Sequence, residues 1–166
     1  YPSEDFMSLI EEIKPAQVTL VPDAPDVLTS NAGWNTVNRE AELSKIVARL
    51  RKTCRVSIFV EADCRMVEGA KACGADRVEL YTESYAANYN KNKEEAIAKF
   101  VLAAKKAEEM GLGLNAGHDL SLENLQYFNS MIPNLLEVSI GHALISDALY
   151  FGLENTIQMY KRLLLK

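Results

Sequence analysis

The sequence predicts an α/β protein folded as a parallel (β/α) barrel of the TIM type. Three observations carry that prediction. Short β-branched segments alternate with amphipathic helical ones along the whole chain, the pattern of parallel βαβ units. Each strand segment has one aliphatic and one polar face, because successive side chains point to opposite sides. The polar faces carry Glu, Asn, Ser and Thr, where a purely structural barrel interior would favour Val, Ile and Leu.

Residues 3–14 read as a helix: Ser3 suits an N-cap, and Phe6, Leu9, Ile10 and Ile13 share a face. Pro15 ends it, and Gln17 to Val21 is the first strand. Pro22-Asp23-Ala24-Pro25-Asp26 opens a long loop over 22–38. A helix at 39–53 places Leu43, Ile46, Val47 and Leu50 together, and Arg55 to Val60 is the second strand. Residues 64–73 form a helix stopped by Gly74, followed by a third strand, Arg77 to Thr82. Residues 84–92 read as a polar loop rich in Tyr and Asn, and 93–110 as a strong helix ended by Gly111. Leu112 to Ala116 is the fourth strand, Ser121 caps a helix of 121–131, and Leu135 to Ile140 is the fifth strand. One closing helix is expected over 143–165, and no linker or composition shift divides residues 1–166 into more than one domain.

In a helix-covered parallel sheet the aliphatic faces meet the helices. Val18 and Leu20 oppose Thr19; Val56, Ile58 and Val60 oppose Ser57 and Glu61. Val78 and Leu80 oppose Glu79, Tyr81 and Glu83; Leu112, Leu114 and Ala116 oppose Gly113, Asn115 and Gly117; Val138 and Ile140 oppose Glu137 and Ser139. Buried carboxylates are costly unless paired or used, so the polar faces predict a barrel interior that binds something. An open sheet with one solvated face is the alternative.

Composition narrows the classes. The chain has 166 residues, 48% apolar and 25% charged, an ordinary balance for a single globular core. No run approaches the roughly 18 apolar residues of a membrane span. The start, Tyr1 to Phe6, lacks the basic-then-apolar order of a signal peptide, so a cytoplasmic location is expected. Cys54, Cys64 and Cys73 are widely spaced, and His118 and His142 are the two histidines, which argues against a disulfide framework or a histidine-rich metal site. The net charge of −5 and the absence of a basic stripe argue against nucleic acid. Phosphate would have to be gripped locally, by backbone N–H groups at helix N-termini.

Four places carry candidate chemistry. Asn115-Ala116-Gly117-His118-Asp119-Leu120 closes the fourth strand, at the end where barrels place their chemistry. His118 sits where a general acid or base would project, with Asp119 available to cap the next turn or orient the imidazole; a structural histidine at a strand end is the plain alternative. Ile140-Gly141-His142-Ala143 ends the fifth strand and opens a helix, a natural anion site or an ordinary βα turn. Glu79 faces the interior, as a base or a stabiliser of positive charge, or as half of a buried ion pair; Glu137 has the same ambiguity and leans to a supporting role. The loop of 22–38 is long enough for a lid, and Thr29 and Ser30 can donate to a phosphate; a solvated excursion pinned by Trp34 is the alternative.

Taken together and in order, Pro15-Ala16-Gln17-Val18-Thr19-Leu20-Val21-Pro22-Asp23, Arg55-Val56-Ser57-Ile58-Phe59-Val60, Gly74-Ala75-Asp76-Arg77-Val78-Glu79-Leu80-Tyr81-Thr82-Glu83, Leu114 to Leu120 and Leu136 to Ala143 closely resemble the pyridoxine 5'-phosphate synthase family. The resemblance implies condensation of 1-deoxy-D-xylulose 5-phosphate with 3-amino-2-oxopropyl phosphate to pyridoxine 5'-phosphate, phosphate and water, without metal or organic cofactor. It implies that His118 is the proton donor and that Glu79 stabilises charge during ring formation. It further implies that Asp119 contacts substrate through its backbone, that Gly141 and His142 bind phosphate, and that Thr29 contacts substrate from a mobile lid. By resemblance the protein is a homo-oligomer, an octamer.

Five strands can be read here, against about eight in a full barrel of this class. The family's first three strands carry an Asn, an Asp-His pair, Arg residues, a catalytic His and a catalytic Glu, none assignable in this sequence. Tyr1-Pro2 resembles the segment just after that Glu, so the first three βα units are expected to be missing. Two other readings stay open: a different phosphate-binding barrel enzyme acting on a sugar phosphate, and a non-catalytic barrel fragment that binds phosphate or a partner chain.

Overall fold

The computed structural model describes residues 1–23, 27 and 30–165. Its five strands are β1 (Gln17–Leu20), β2 (Arg55–Val60), β3 (Arg77–Tyr81), β4 (Gly113–His118) and β5 (Leu135–Ile140), hydrogen-bonded in chain order. Every neighbouring pair is parallel. The eight helices among the described residues are α1 (Glu4–Ile13), α2 (Glu40–Leu50), α3 (Cys64–Ala72), α4 (Glu83–Tyr89), α5 (Lys93–Glu109), α6 (Leu125–Met131), α7 (His142–Phe151) and α8 (Leu153–Leu163). The result is a partial β/α barrel.

The expected parity holds. Val18, Leu20, Val56, Ile58, Val60, Val78, Leu80, Leu114 and Ala116 are buried against the helices. Leu43, Val47 and Leu50 of α2, Val67 and Ala70 of α3, and Ile97, Phe100, Ala103, Ala104 and Ala107 of α5 supply the opposing layer. The alanines keep the α5 backbone close to the sheet while Phe100 fills the remaining volume with Tyr85 and Phe128, ring centroids 5.9 and 5.7 Å away. Asn92 caps α5 by accepting the Glu95 N–H at 3.1 Å, and Asp63 caps α3 through the Arg65 N–H at 2.8 Å. Arg49 of α2 ties down α1 through Glu4 and Glu11 at 2.8 and 2.7 Å.

Three elements differ from expectation. Residues 84–92, expected as a loop, contain α4, because burying the Tyr85 ring against Phe100 and Phe128 outweighs the local turn preference of Asn and Ser. The single helix expected over 143–165 is two, broken at Gly152, whose φ of 77° lies outside helical space. The helix expected from Ser121 begins at Leu125: the Asn124 side chain accepts the Ser121 N–H at 2.9 Å and holds 121–124 in a turn.

β5 stands apart. A register shift against Leu114 and Asn115 places Leu135 opposite Leu114 and Glu137 opposite Asn115, so Leu136 is bulged out and 54% exposed. None of the α7 side chains is buried, and Leu149 and Tyr150 are exposed.

Candidate functional site

The strand side chains away from the helices form one concave, polar surface. Register aligns Thr19 with Ser57, Ser57 with Arg77, Phe59 with Glu79, Glu79 with Asn115, Asn115 with Glu137, and Gly117 with Ser139. Its lower part is a charged network. Arg77 pairs with Glu137 at 2.9 Å and donates to the Asn115 side-chain amide oxygen Oδ1 at 3.0 Å. Asn115 returns a hydrogen bond to Glu137 at 3.3 Å, and Gln17 donates to the same carboxylate at 3.2 Å. Glu137 is thus ion-paired with Arg77, two residues before Glu79 on β3.

Glu79 is the buried carboxylate of this surface, 4% exposed. Thr19 donates to it at 3.1 Å. Burial pushes its pKa above the usual carboxylate range, and the neighbouring Glu137 charge adds to the rise. Hydrogen bonds from Thr19 and Ser139 and the field of His118 oppose the rise without cancelling it. Gly117 is required beside it: a Cβ there would lie 2.5 Å from Glu79 Oε1 and 3.0 Å from the Ser139 carbonyl oxygen.

His118 ends β4 with a φ of 88°, a left-handed conformation that is strained for a residue with a side chain. Thr82, fully buried, braces both sides of it, donating to the Gly117 carbonyl at 2.7 Å and accepting the Asp119 N–H at 3.2 Å. The Asp119 carbonyl accepts from Asn124 at 3.2 Å, so the backbone of Asp119 is fixed while its side chain makes none of these bonds. The imidazole packs at 4.5 Å from the Phe59 ring and 5.7 Å from the Tyr81 ring.

A cavity of about 640 Å³ opens at this end of the strands, lined by Ser30, Tyr81, His118, Asp119, Ser139, Ile140, Gly141 and His142. It brings together four of the six candidate residues. Glu79 is set deeper, against Gly117, and Thr29 lies outside the described residues. Gly141 caps α7, and a Cβ on it would meet nothing within 4 Å. No lysine or arginine is among the lining residues, and no side chain caps the first turn of α7. A phosphate here would be held by the Gly141–Ala143 backbone and the helix N-terminus.

The loop of 22–38 reaches the same mouth. The Tyr81 hydroxyl donates to the Ser30 carbonyl at 3.2 Å, and Ser30 donates to the Asp23 carboxylate. Its far end is seated on β2: the Trp34 N–H donates to the Phe59 carbonyl at 2.8 Å and the Gly33 N–H to Glu61 at 3.3 Å. Sequence reasoning passed over Phe59 and Thr82. Phe59 shares the inward parity of Ser57, but an aromatic ring among polar neighbours gave no separate signal; Thr82 acts through its position beyond the strand end.

Among the described residues no group of three or more His, Cys, Asp or Glu side chains is placed to hold a metal ion. No helix among them is long and apolar enough to cross a membrane.

Comparison with known proteins follows the same lines. The family model described as pyridoxal phosphate biosynthesis protein PdxJ matches residues 1–166. The pyridoxine 5'-phosphate synthase of Cytophaga hutchinsonii is 57% identical over 166 residues, covering 99% of this chain and 70% of that protein. That of Bacteroides thetaiotaomicron is 59% identical over 165 residues, with 99% and 70% covered. Among solved structures, the HMG-CoA lyase of Brucella melitensis superposes with a TM-score of 0.57 at 19% identity, covering 99% of this chain and 61% of that one. DHDPS from Cyanidioschyzon merolae gives 0.57 at 13% identity, with 96% and 52% covered. At those identities the likeness is one of fold alone.

Proposed function

The chain belongs to the family of the pyridoxal phosphate biosynthesis protein PdxJ, and from that membership we propose that its concave face performs the ring closure of a pyridoxine 5'-phosphate synthase through His118 and Glu79. The reaction joins 1-deoxy-D-xylulose 5-phosphate and 3-amino-2-oxopropyl phosphate into pyridoxine 5'-phosphate, with phosphate and water released. The observation that carries the reading is 57% identity over 99% of the chain, with the aligned length falling on the strands that build the cavity.

Amine attack on a ketone gives a carbinolamine, and loss of water gives a cationic iminium. Both steps need protons delivered and removed at fixed points. Glu79 suits the cationic stage. Burial makes its lone negative charge costly, so a positive charge forming nearby gains more from it than it would from a solvated carboxylate. His118, held at the cavity wall, donates the proton to the departing oxygen. Gly141 and His142 grip a substrate phosphate at the α7 N-terminus, Asp119 contributes backbone contact, and Thr29 approaches from the loop.

Residues 1–166 are read as one barrel domain in a cytoplasmic homo-oligomer, an octamer by family likeness. Light scattering on the whole protein tests the assembly: a mass of eight subunits is expected, and a monomer would overturn it. The function is tested by supplying both substrates to the whole protein and assaying pyridoxine 5'-phosphate by chromatography. Product is expected only when both are present; product from either alone, or none from both, overturns the reading. His118→Ala is expected to lower kcat by about 10²–10⁴, and near-normal turnover would remove it from the proton-donor role.

A further inference from the structure

We propose that Phe59 and Tyr81 are positioning residues for His118, two rings that hold the imidazole at the reactive end of β4. The inference rests on the synthase reading and adds two side chains that act through His118.

Strand parity alone would send His118 the wrong way. It follows Leu114 and Ala116 at intervals of two, and both of those are buried against the helices. The φ of 88° breaks that alternation and puts the imidazole in the cavity instead. A backbone reversal of this kind fixes where the side chain starts but leaves its torsions free. Among the described residues no hydrogen bond holds the imidazole nitrogens, so ring contacts must set its direction.

Phe59 supplies the floor. Its centroid is 4.5 Å from that of His118, the planes inclined by 31°. Phe59 is fully buried, and its carbonyl anchors Trp34, so neither ring nor backbone has room to swing. Tyr81 supplies the wall, edge-on to the imidazole at 5.7 Å and 80°. Its own ring lies 5.2 Å from Phe59, and its hydroxyl is held by the Ser30 carbonyl. The three rings form one contiguous group, the imidazole tilted over Phe59 and nearly perpendicular to Tyr81, and its nitrogens, bonded to none of the described residues, are left to deliver a proton. An error of about 1 Å in that placement costs on the order of 100-fold in rate.

Two substitutions separate the flat face from simple volume. Phe59→Met keeps nearly the same bulk and loses the face; Phe59→Tyr keeps the face. In the whole protein, with folding checked by thermal melting, Phe59→Met is expected to lower kcat roughly 10- to 100-fold while KM for both substrates stays within about threefold. Phe59→Tyr is expected to hold kcat within about threefold. A Met variant within twofold of the unsubstituted kcat, or a Tyr variant that falls as far as Met, overturns the proposal. A second measurement does not depend on turnover. Carbethoxylation of His118 by diethyl pyrocarbonate, followed by peptide mass spectrometry, should run about threefold faster or more in Phe59→Met and unchanged in Phe59→Tyr, because the loss of the floor uncovers the imidazole. Equal rates in all three proteins overturn the proposal. If the rates differ as expected while the unsubstituted protein forms no product, the ring seat stands and the synthase reading fails.

Discussion

At Glu79 two opposing effects meet in one side chain. Removal from water disfavours the carboxylate, while Thr19, His118 and Ser139 favour it, and the balance leaves its pKa raised. The folded state therefore binds this proton more tightly than the unfolded chain does. Its stabilising contribution is fully present below the ordinary value of 4.5 and is lost as pH rises through the raised folded value. Glu79→Gln, which cannot ionise, should therefore melt above the unsubstituted protein at pH 8, with the gap closing toward pH 4 and turnover lost throughout. Melting curves at both pH values check the sign: a gap that widens as pH falls would mean that the carboxylate is better stabilised in the fold than in water. Glu79, His118 and the Gly117 that precedes it were legible as residues because parity placed a carboxylate inward and a strand ended in Asn-Ala-Gly-His. The route by which His118 turns inward was not legible, since it depends on a left-handed backbone braced by the bonds of Thr82 and Asn124 around it.

Among the elements, the strands were the most readable and the helix ends the least. Alternation of Val, Ile and Leu with polar residues has only one arrangement that hides the aliphatic face, and β1 to β4 obey it up to His118, where β4 departs from it. β5 keeps the alternation but shifts register by a bulge, which no periodicity announces. α4 was hidden because Ser84, Asn88 and Asn90 favour turns locally, and only the distant Phe100 and Phe128 make a helix there worthwhile. The break at Gly152 was visible as a glycine, but a glycine inside an apolar helical pattern is also tolerated, so its φ of 77° decided the matter. The loop of 22–38 yields a prediction of its own. An added Cβ at Gly33 would lie 2.5 Å from the backbone of Val60 and Glu61, atoms that cannot move aside as a side chain can. Gly33→Ala should destabilise the protein by about 1–3 kcal/mol and release the loop from β2. Limited proteolysis is the check: cleavage within 22–38 should become faster, while an unchanged digestion pattern would mean that the strand end yields instead.

Across the whole molecule, the helices cover β1 to β4 more completely than β5. The aliphatic residues of the first four strands are almost entirely buried, whereas Leu136, Leu149 and Tyr150 stand in the open. The chain spans about 70% of the length of the synthases it matches. The concave side shows the reverse: Arg77, Asn115, Glu137 and Gln17 bond to one another within these five strands, while Ser57 Oγ and Gln17 Oε1 are buried without a partner among the described residues. Arg77 is 11% exposed and Glu137 49%, so the ion pair between them is partly screened and should contribute only about 1 kcal/mol. The value of that network lies in its span. Gln17 belongs to the first strand and Glu137 to the last, yet their side chains meet at 3.2 Å across the hollow of the sheet. The two borders are thus joined by a crossbeam, and strands with no backbone bond between them are expected to share a local unfolding event. Cutting the beam at Gln17→Leu should speed amide hydrogen exchange in 135–140 as well as in 17–20; acceleration confined to 17–20 would mean that the borders open independently. On that expectation the two outermost strands open together, and loosening either end of the beam loosens the floor beneath Glu79.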